Sequence, residues 1–346
     1  IGTDLKRVVR EHGAASVGAL ASPHATLEEL HLLQKFVRAA GSENIDCRLR
    51  QTDFSLDGKQ VVPWLGLPVS EIPTLDRVLV VGSFLRKDHP LLAQRLRQAA
   101  KKATRVSLLH VADDDQLIAL QAKSIVAPSA LAAELAGIVK AVAEAKGAAV
   151  DAALTGVQPS AAAKAIAESL ASGEKGAILL GNFAQQHAQA STLHALAQKL
   201  ADLTGARFGY LGEAANAVGG YIANAMPGAQ GLNAARMPAE PRKAYFVLHA
   251  EPELDCANPA QATAALKGAD LVVAMTPFKT RALDYAHVIL PVAPFTETSG
   301  TFINTEGRVQ GFNAVVKPLG ETRPAWKVLR VLGNLLGLPG FEQDSS

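Results

Sequence analysis

The densest chemistry in the chain lies between positions 291 and 310, where Glu297, Asn304, Glu306 and Arg308 fall close together. They follow the apolar run 287–290, which reads as a buried strand. Pro291 and Pro294 end that strand, because neither can donate to a sheet ladder. Gly300 and Gly307 are candidates for positive φ, where a residue without Cβ is favoured. Acceptors, a guanidinium and two bendable positions just after a buried strand make a binding loop at the carboxyl edge of an α/β sheet. The same residues would equally serve a charged turn held in shape by Glu–Arg pairing, which loops achieve at low cost.

Other constellations carry less. Gly82-Ser83 and Gly181-Asn182 each follow an apolar strand, where the N–H groups of the next helix would meet a phosphate. Neither extends to G-x-G-x-x-G, and no G-x-x-x-x-G-K-[ST] occurs, so turn geometry is the plainer reading and an NAD-dependent dehydrogenase finds little support. His249, Glu251, Glu253, Asp255 and Cys256 gather possible metal ligands. Their mixed spacing fits no standard zinc pattern, which favours a solvated acidic loop. His187 and His194 would share one helical face and read as surface or packed histidines. Ser16, Ser22 and Ser83 lack a G-x-S-x-G context, so no hydrolase elbow is present.

The elements that must position these residues alternate. Strands are expected over 13–20, 76–82, 104–110, 177–181, 244–249, 269–275 and 287–290. Helices are expected from the Thr26/Glu29 capping box to Gly41, from Pro90, over 128–147 and 159–172, to about Leu203, over 259–267, briefly from Thr280, and from Pro324. Residues 60–73 are Pro-rich and read as a loop, and the Gly-, Ala- and Asn-rich stretch 205–237 reads as a long loop region. Alternating strands and helices imply parallel sheets covered on both faces, an α/β fold with two Rossmann-like units. The stretch 127–170 is Ala-biased, which favours helix without adding chemistry.

Composition sets limits. The 346 residues are 49% hydrophobic and 19% charged, enough for two domains and a substantial core. A net charge of +2 and 5% aromatic residues leave no clustered basic face for nucleic acid. The two cysteines, Cys47 and Cys256, make no disulfide scaffold and cannot supply the four thiolates of an iron–sulfur cluster. No apolar run is long enough to span a membrane. A chain that starts at Ile1 without a Met is expected to be a piece of something longer.

The run from Leu290 to Gln310 resembles the signature of the molybdopterin oxidoreductase superfamily. It is most similar to the branch found in the large iron–sulfur subunit of NADH:quinone oxidoreductase (respiratory complex I). Residues 21–35, 180–187, 200–205 and 212–237 resemble further segments of that branch, so the likeness covers nearly the whole chain. The family's Asn-x-Asp segment, continued by an Arg and a metal-binding Cys or selenocysteine, falls here on Asn44, Asp46 and Arg50. The metal-ligand slot falls on Thr52, a poor ligand for a soft molybdenum–dithiolene centre, while Cys47 sits on the wrong side of Arg50.

The resemblance implies two Rossmann-like parallel-sheet domains of the type of formate dehydrogenase domains II and III, one inserted in the other: 1–52 with 236–346, and 53–235. It implies a carboxyl-terminal scaffold with no catalytic residue, no metal and no cofactor of its own. The iron–sulfur clusters would belong to an amino-terminal part. Partners would be that part and the other subunits of the complex I peripheral arm, on the cytoplasmic side of a bacterial inner membrane, with no nucleic acid and no membrane insertion. Asn44, Asp46, Arg50, Thr52, Gly82 and Gly181 would be degenerate pterin-site positions. Glu297, Gly300, Thr301, Asn304, Glu306, Gly307 and Arg308 would hold the signature loop. Alternatives are a true molybdopterin-binding oxidoreductase fragment and a nucleotide-binding α/β module that uses the Gly82 and Gly181 turns.

Overall fold

The computed structural model describes residues 1–59 and 62–345. Gln60 and Val61, at the start of the stretch read as a Pro-rich loop, lie outside the described residues. In chain order the strands are β1 (Val17–Ala21), β2 (Ile45–Asp46), β3 (Arg77–Val81), β4 (Arg105–His110), β5 (Leu120–Ile125), β6 (Gly176–Leu180), β7 (Arg207–Tyr210), β8 (Ala244–Leu248), β9 (Leu271–Thr276), β10 (Val288–Pro291), β11 (Gly300–Ile303) and β12 (Val309–Phe312). The principal helices are α1 (Gly2–His12), α2 (Leu27–Ala39), α3 (Pro90–Ala100), α4 (Leu131–Ala145), α5 (Ala161–Ala171), α6 (Ala190–Thr204), α7 (Pro259–Lys267) and α8 (Ala325–Leu335).

Two compact units result. The first comprises Ile1–Thr52, Ala214–Asn304 and Arg308–Ser346, the second Asp53–Glu213 with Thr305–Gly307. The return to the first unit falls at Ala214, inside the Gly- and Asn-rich stretch where periodicity offers no marker.

The first unit is built on a five-stranded parallel sheet of order β10-β9-β8-β1-β2. β1, β8 and β9 are buried along their whole length, as continuous apolar runs in a two-sided parallel sheet must be. α2 starts at the capping box: Thr26 N–H donates to Glu29 Oε2 at 2.9 Å, and Glu29 N–H donates to Thr26 Oγ1 at 3.3 Å. Its apolar face, Leu30, Leu33, Phe36 and Val37, packs in one core with Phe246 of β8 and Leu329 of α8. Phe36 and Phe246 meet edge to face at 4.8 Å.

The second unit is a five-stranded parallel sheet of order β5-β4-β3-β6-β7. α4 and α5 lie together against it. The Ala bias of 127–170 has a packing consequence here: a Cβ on Gly137 of α4 would stand 3.4 Å from Pro159 Cα and 3.6 Å from Ala163 Cβ. Small side chains let these helices approach closely.

Several expectations need correction. The run 287–290 is not a buried strand; β10 is a half-exposed edge strand ending at Pro291, where an edge tolerates a missing donor. The stretch 205–237 is not all loop, because β7 lies within it. Its Gly209 is dictated by packing: a Cβ there would sit 1.8 Å from Leu65 O. β5 was hidden because its residues alternate between exposed and half-buried positions with only Ser124 buried, the pattern of a polar edge strand. α1 went unseen for a similar reason, since it buries only Leu5 and Val8. Residues 300–312 form an antiparallel hairpin, β11 with β12, and not an open loop. In 60–73 the chain turns helically over Val69–Thr74.

The second unit opens on Asp53, whose Oδ2 accepts the N–H of Ser191 at 2.8 Å and its hydroxyl at 2.5 Å in the first turn of α6. Burial raises the Asp53 carboxyl, but hydrogen bonds from Ser191 and Ser55 outweigh it and lower the pKa to about 2. A depressed carboxylate stabilises fully above its unfolded value of about 4, and the contribution fades as pH falls through the folded value. Asp53→Ala is therefore expected to cost about 1 kcal/mol at neutral pH, as loss of a helix cap does. Thermal melts between about pH 2 and 6 should converge for the two proteins at the acid end; curves that stay parallel would refute the assignment.

Candidate functional site

In the first unit the Asn44–Thr52 segment leaves β2 at the sheet edge. Asn44 is buried and fully used: Nδ2 donates to Ala15 O at 2.7 Å and Val17 O at 3.0 Å, and Oδ1 accepts the Leu232 N–H at 2.8 Å. Asp46 has no exposed surface. Its Oδ1 accepts Arg48 Nε at 2.9 Å and the Arg48 N–H at 3.0 Å; its Oδ2 accepts Arg48 Nη2 at 2.9 Å and the Ala234 N–H at 3.1 Å. The Arg48 guanidinium lies 5.8 Å from the centre of the Tyr221 ring. Burial drives the Tyr221 phenol far above its ordinary value. Arg50 and Thr52 are exposed, and Arg50 reaches Asp255 at 3.8 Å. The structure thus separates the four positions: two belong to a buried network and two to the surface.

Neither thiol faces a site. A Cβ on Gly220 would lie 2.6 Å from Cys47 Sγ, so that sulfur is packed against a helix backbone. Cys256 is buried, and burial with Asp255 and Glu253 pushes its thiol up to about 12. The residues around it are not a solvated acidic loop. They form a short helical turn, Pro252–Asp255, around which the carboxylates accept hydrogen bonds while Glu253 Oε1 stays buried without one among the described residues. Tyr285 OH donates to Glu253 Oε2 at 3.1 Å, Thr280 Oγ1 to Glu251 Oε1 at 2.8 Å, and the Glu251 N–H to Asp255 Oδ2 at 2.8 Å. Among the described residues no group of three or more His, Cys, Asp or Glu is placed to hold a metal ion.

Sequence reasoning missed the contact of Glu29 with His249 at the reversal of strand order, between β1 and β8. Glu29 is buried, and its Oε1 lies 3.4 Å from His249 Nε2, beyond a good hydrogen bond. Burial raises Glu29, but the charge of His249 and the bonds from Thr26 hold it below the usual carboxylate range. His249 adopts φ 51°, a left-handed conformation uncommon for a residue with a Cβ. Thr26 and Glu29 read from sequence only as a cap; the pairing with a histidine so distant in sequence left no local signal.

The signature residues make a structural hairpin. Gly300 does not have positive φ; it is glycine because a Cβ would stand 2.5 Å from Thr26 Cγ2. The Thr301 N–H donates to Glu28 Oε2 at 3.0 Å, and the Ile303 N–H to the wholly buried Asn216 at 2.9 Å. Asn304 closes the turn with Arg308: its N–H donates to Arg308 O at 3.0 Å and its Oδ1 accepts the Arg308 N–H at 2.9 Å. Gly307, at φ 82°, makes that turn possible. Glu297 Oε2 accepts the Leu319 N–H at 2.9 Å. In the second unit Glu306 Oε2 accepts the Val69 N–H at 2.6 Å, and Leu65 N–H donates to Thr305 O at 2.7 Å.

The glycine turns of the second unit flank its own reversal of strand order, between β3 and β6. Gly82, at φ 63°, would bring a Cβ 2.7 Å from Ala184 N; a Cβ on Gly181 would lie 2.3 Å from Ser83 Cβ. The Gly82 carbonyl accepts the N–H groups of Phe183 at 3.0 Å and Ala184 at 3.3 Å. These are the donors a phosphate would need. Both glycines are required by close packing, and at the Gly181 turn these N–H groups are spent on backbone. His110, at the end of β4, is buried with neither ring nitrogen hydrogen-bonded among the described residues, and burial lowers its pKa against the pull of Asp88 and Asp114. His187 precedes α6 and so does not share a helical face with His194; it meets Pro128 O at 2.9 Å, and His194 meets the Tyr210 hydroxyl.

The chain belongs to the molybdopterin oxidoreductase family: the family model described as "Molybdopterin oxidoreductase" matches residues 1–335. It is 28% identical over 396 aligned residues to the NADPH-Fe(3+) oxidoreductase subunit alpha of Geobacter sulfurreducens, covering 96% of this chain and 47% of that protein. The chain thus spans about half the length of that relative. Two solved structures share the fold. One is a formyltransferase/hydrolase complex from Methylorubrum extorquens with methylofuran, at TM-score 0.65 and 17% identity over 96% of both chains. The other is acetylene hydratase from Pelobacter acetylenicus, at TM-score 0.61 and 14% identity, covering 99% of this chain and 58% of that one.

Two variants test the structural assignments. Asp46→Ala leaves the Arg48 guanidinium buried without its carboxylate and is expected to cost about 3–5 kcal/mol in urea unfolding. Glu306→Ala leaves the Val69 N–H without its acceptor and should cost about 1–2 kcal/mol, with Glu306→Gln recovering part of it. Unchanged melting of Glu306→Ala would remove its role in the turn.

Proposed function

We propose that this chain is the carboxyl-terminal, molybdopterin-oxidoreductase-like portion of the large iron–sulfur subunit of NADH:quinone oxidoreductase, and that it is a redox-silent scaffold there. The observation that carries the reading is the donor set where the family places its metal ligand. Thr52 occupies that slot, Cys47 is packed against Gly220, and the Cys256 thiol is buried, which pushes it above its ordinary value. A hydroxyl and two inward-facing thiols do not fit a soft metal–dithiolene centre, which takes thiolate or selenolate. The strand ends add support, since the N–H groups of Phe183 and Ala184 after Gly181 are spent on the Gly82 carbonyl.

In this reading electrons pass from NADH toward quinone through clusters bound elsewhere. The chain contributes surfaces for the amino-terminal cluster-bearing part and for neighbouring subunits of the peripheral arm. It sits on the cytoplasmic side of a bacterial inner membrane without entering it; no helix of the described residues is long and apolar enough to cross one.

The test is elemental analysis for molybdenum and tungsten, with pterin assay after acid oxidation, on protein from a host that makes the cofactor. No stoichiometric metal or pterin is expected, and one equivalent of each would overturn the reading. In the assembled enzyme Thr52→Ala is expected to leave the NADH:quinone rate within about twofold, whereas losing a group that acts in the reaction costs on the order of a hundredfold.

A further inference from the structure

The hairpin of β11 and β12 has one closed edge and one open edge. On β11 the N–H groups that point away from β12 belong to Thr301 and Ile303, and side chains of Glu28 and Asn216 take both. Register decides the other edge. Thr301 stands opposite Gly311, and Ile303 opposite Val309. Residues facing each other in an antiparallel pair either exchange both bonds or turn both outward, so Val309 and Gly311 direct their N–H and C=O groups away from β11. Among the described residues nothing accepts from these two N–H groups.

Natural edges are blunted by charge, by Pro or by a covering element. The Val-Gln-Gly-Phe sequence of β12 has no charge and no Pro, and Val309 is 65% exposed. The chain beyond it is tied down: Ala314 N–H donates to Ser299 Oγ at 3.1 Å, Val315 N–H to Thr296 O at 2.9 Å and Leu319 N–H to Glu297. This ordered segment presents Val315, 81% exposed, and Leu319, 78% exposed; the exposed Phe295 immediately precedes the Thr296 that holds Val315. Between 307 and 320 the formal charges are Arg308 and Lys317, both positive.

We propose that β12 is a docking edge for an extended segment of a partner protein, which adds as a strand to Val309 and Gly311 and alternates apolar with acidic side chains. Main-chain bonds to the two outward N–H groups set the register. The apolar side chains cover Val309 and Val315, and the acidic ones complement Lys317. A second copy of this chain is the poorer occupant, because pairing about Gln310 would oppose Val309 to Gly311, which offers the valine no side chain to pack against. The proposal stands on the edge geometry and does not depend on the scaffold reading.

The probe is a fluorescein-labelled, end-blocked peptide alternating Glu and Val, compared with its Lys–Val counterpart by anisotropy against the full chain. The acidic peptide is expected to bind about tenfold tighter than the basic one. Gly311→Pro removes an outward donor that serves no bond in the hairpin, and should weaken binding about fivefold or more. The exposed Lys317→Glu, which leaves the backbone untouched, should reverse the preference between the two peptides. Equal affinity for both peptides, no saturable binding, or binding indifferent to Lys317→Glu would overturn the proposal. A dimer by light scattering that Gly311→Pro dissolves would overturn it in favour of a second copy.

Discussion

A carboxylate with no exposed surface must be met by donors on every side, and Asp46 dictates the conformation around itself. Four hydrogen bonds converge on its two oxygens: three from Arg48 and one from the Ala234 N–H. Satisfying them forces Arg48 to fold back along its own chain and brings the guanidinium over Tyr221. The same turn sends Cys47 inward, where only a glycine at position 220 leaves room for the sulfur. Arg50 and Thr52 are left on the surface. The buried pair is thus the reason the segment ends as it does, and why the thiol between its two members is unavailable for chemistry.

The two sheets deal with their strand-order reversals by different physics. In the first unit Glu29 meets His249 between β1 and β8, and the histidine keeps a strained φ. In the second unit the corresponding crevice is filled by backbone. Gly82 and Gly181 let two strand ends approach until one carbonyl takes two N–H groups. Open α/β sheets bind ligands at such reversals. In the second unit the N–H groups of Phe183 and Ala184 are spent on the Gly82 carbonyl.

Much of this was legible in the chain. Continuous apolar runs at β3, β4, β8 and β9 announce two-sided parallel strands, and Thr26 with Glu29 announces the start of α2. The signature from Leu290 to Gln310 carries the family, and the match over residues 1–335 agrees with it. What escaped were elements whose pattern is weak by necessity. β5 is an edge and need not be apolar on both faces, and β7 contains a glycine that the Leu65 carbonyl demands; β10 reads as a strand from the sequence, but as an edge it is not buried.

The sequence by itself determined local matters: where most of the strands and helices fall and where a cap forms. Those follow from periodicity and residue type within a few turns of chain. Only the tertiary structure decided what each polar group does. That Asn44 and Asp46 are buried acceptors, that Gly300 is small because of Thr26, and that Glu29 faces His249 all depend on partners far away in sequence. A hydrogen bond or a steric limit is set by distance in space, and the chain's order alone does not contain that distance.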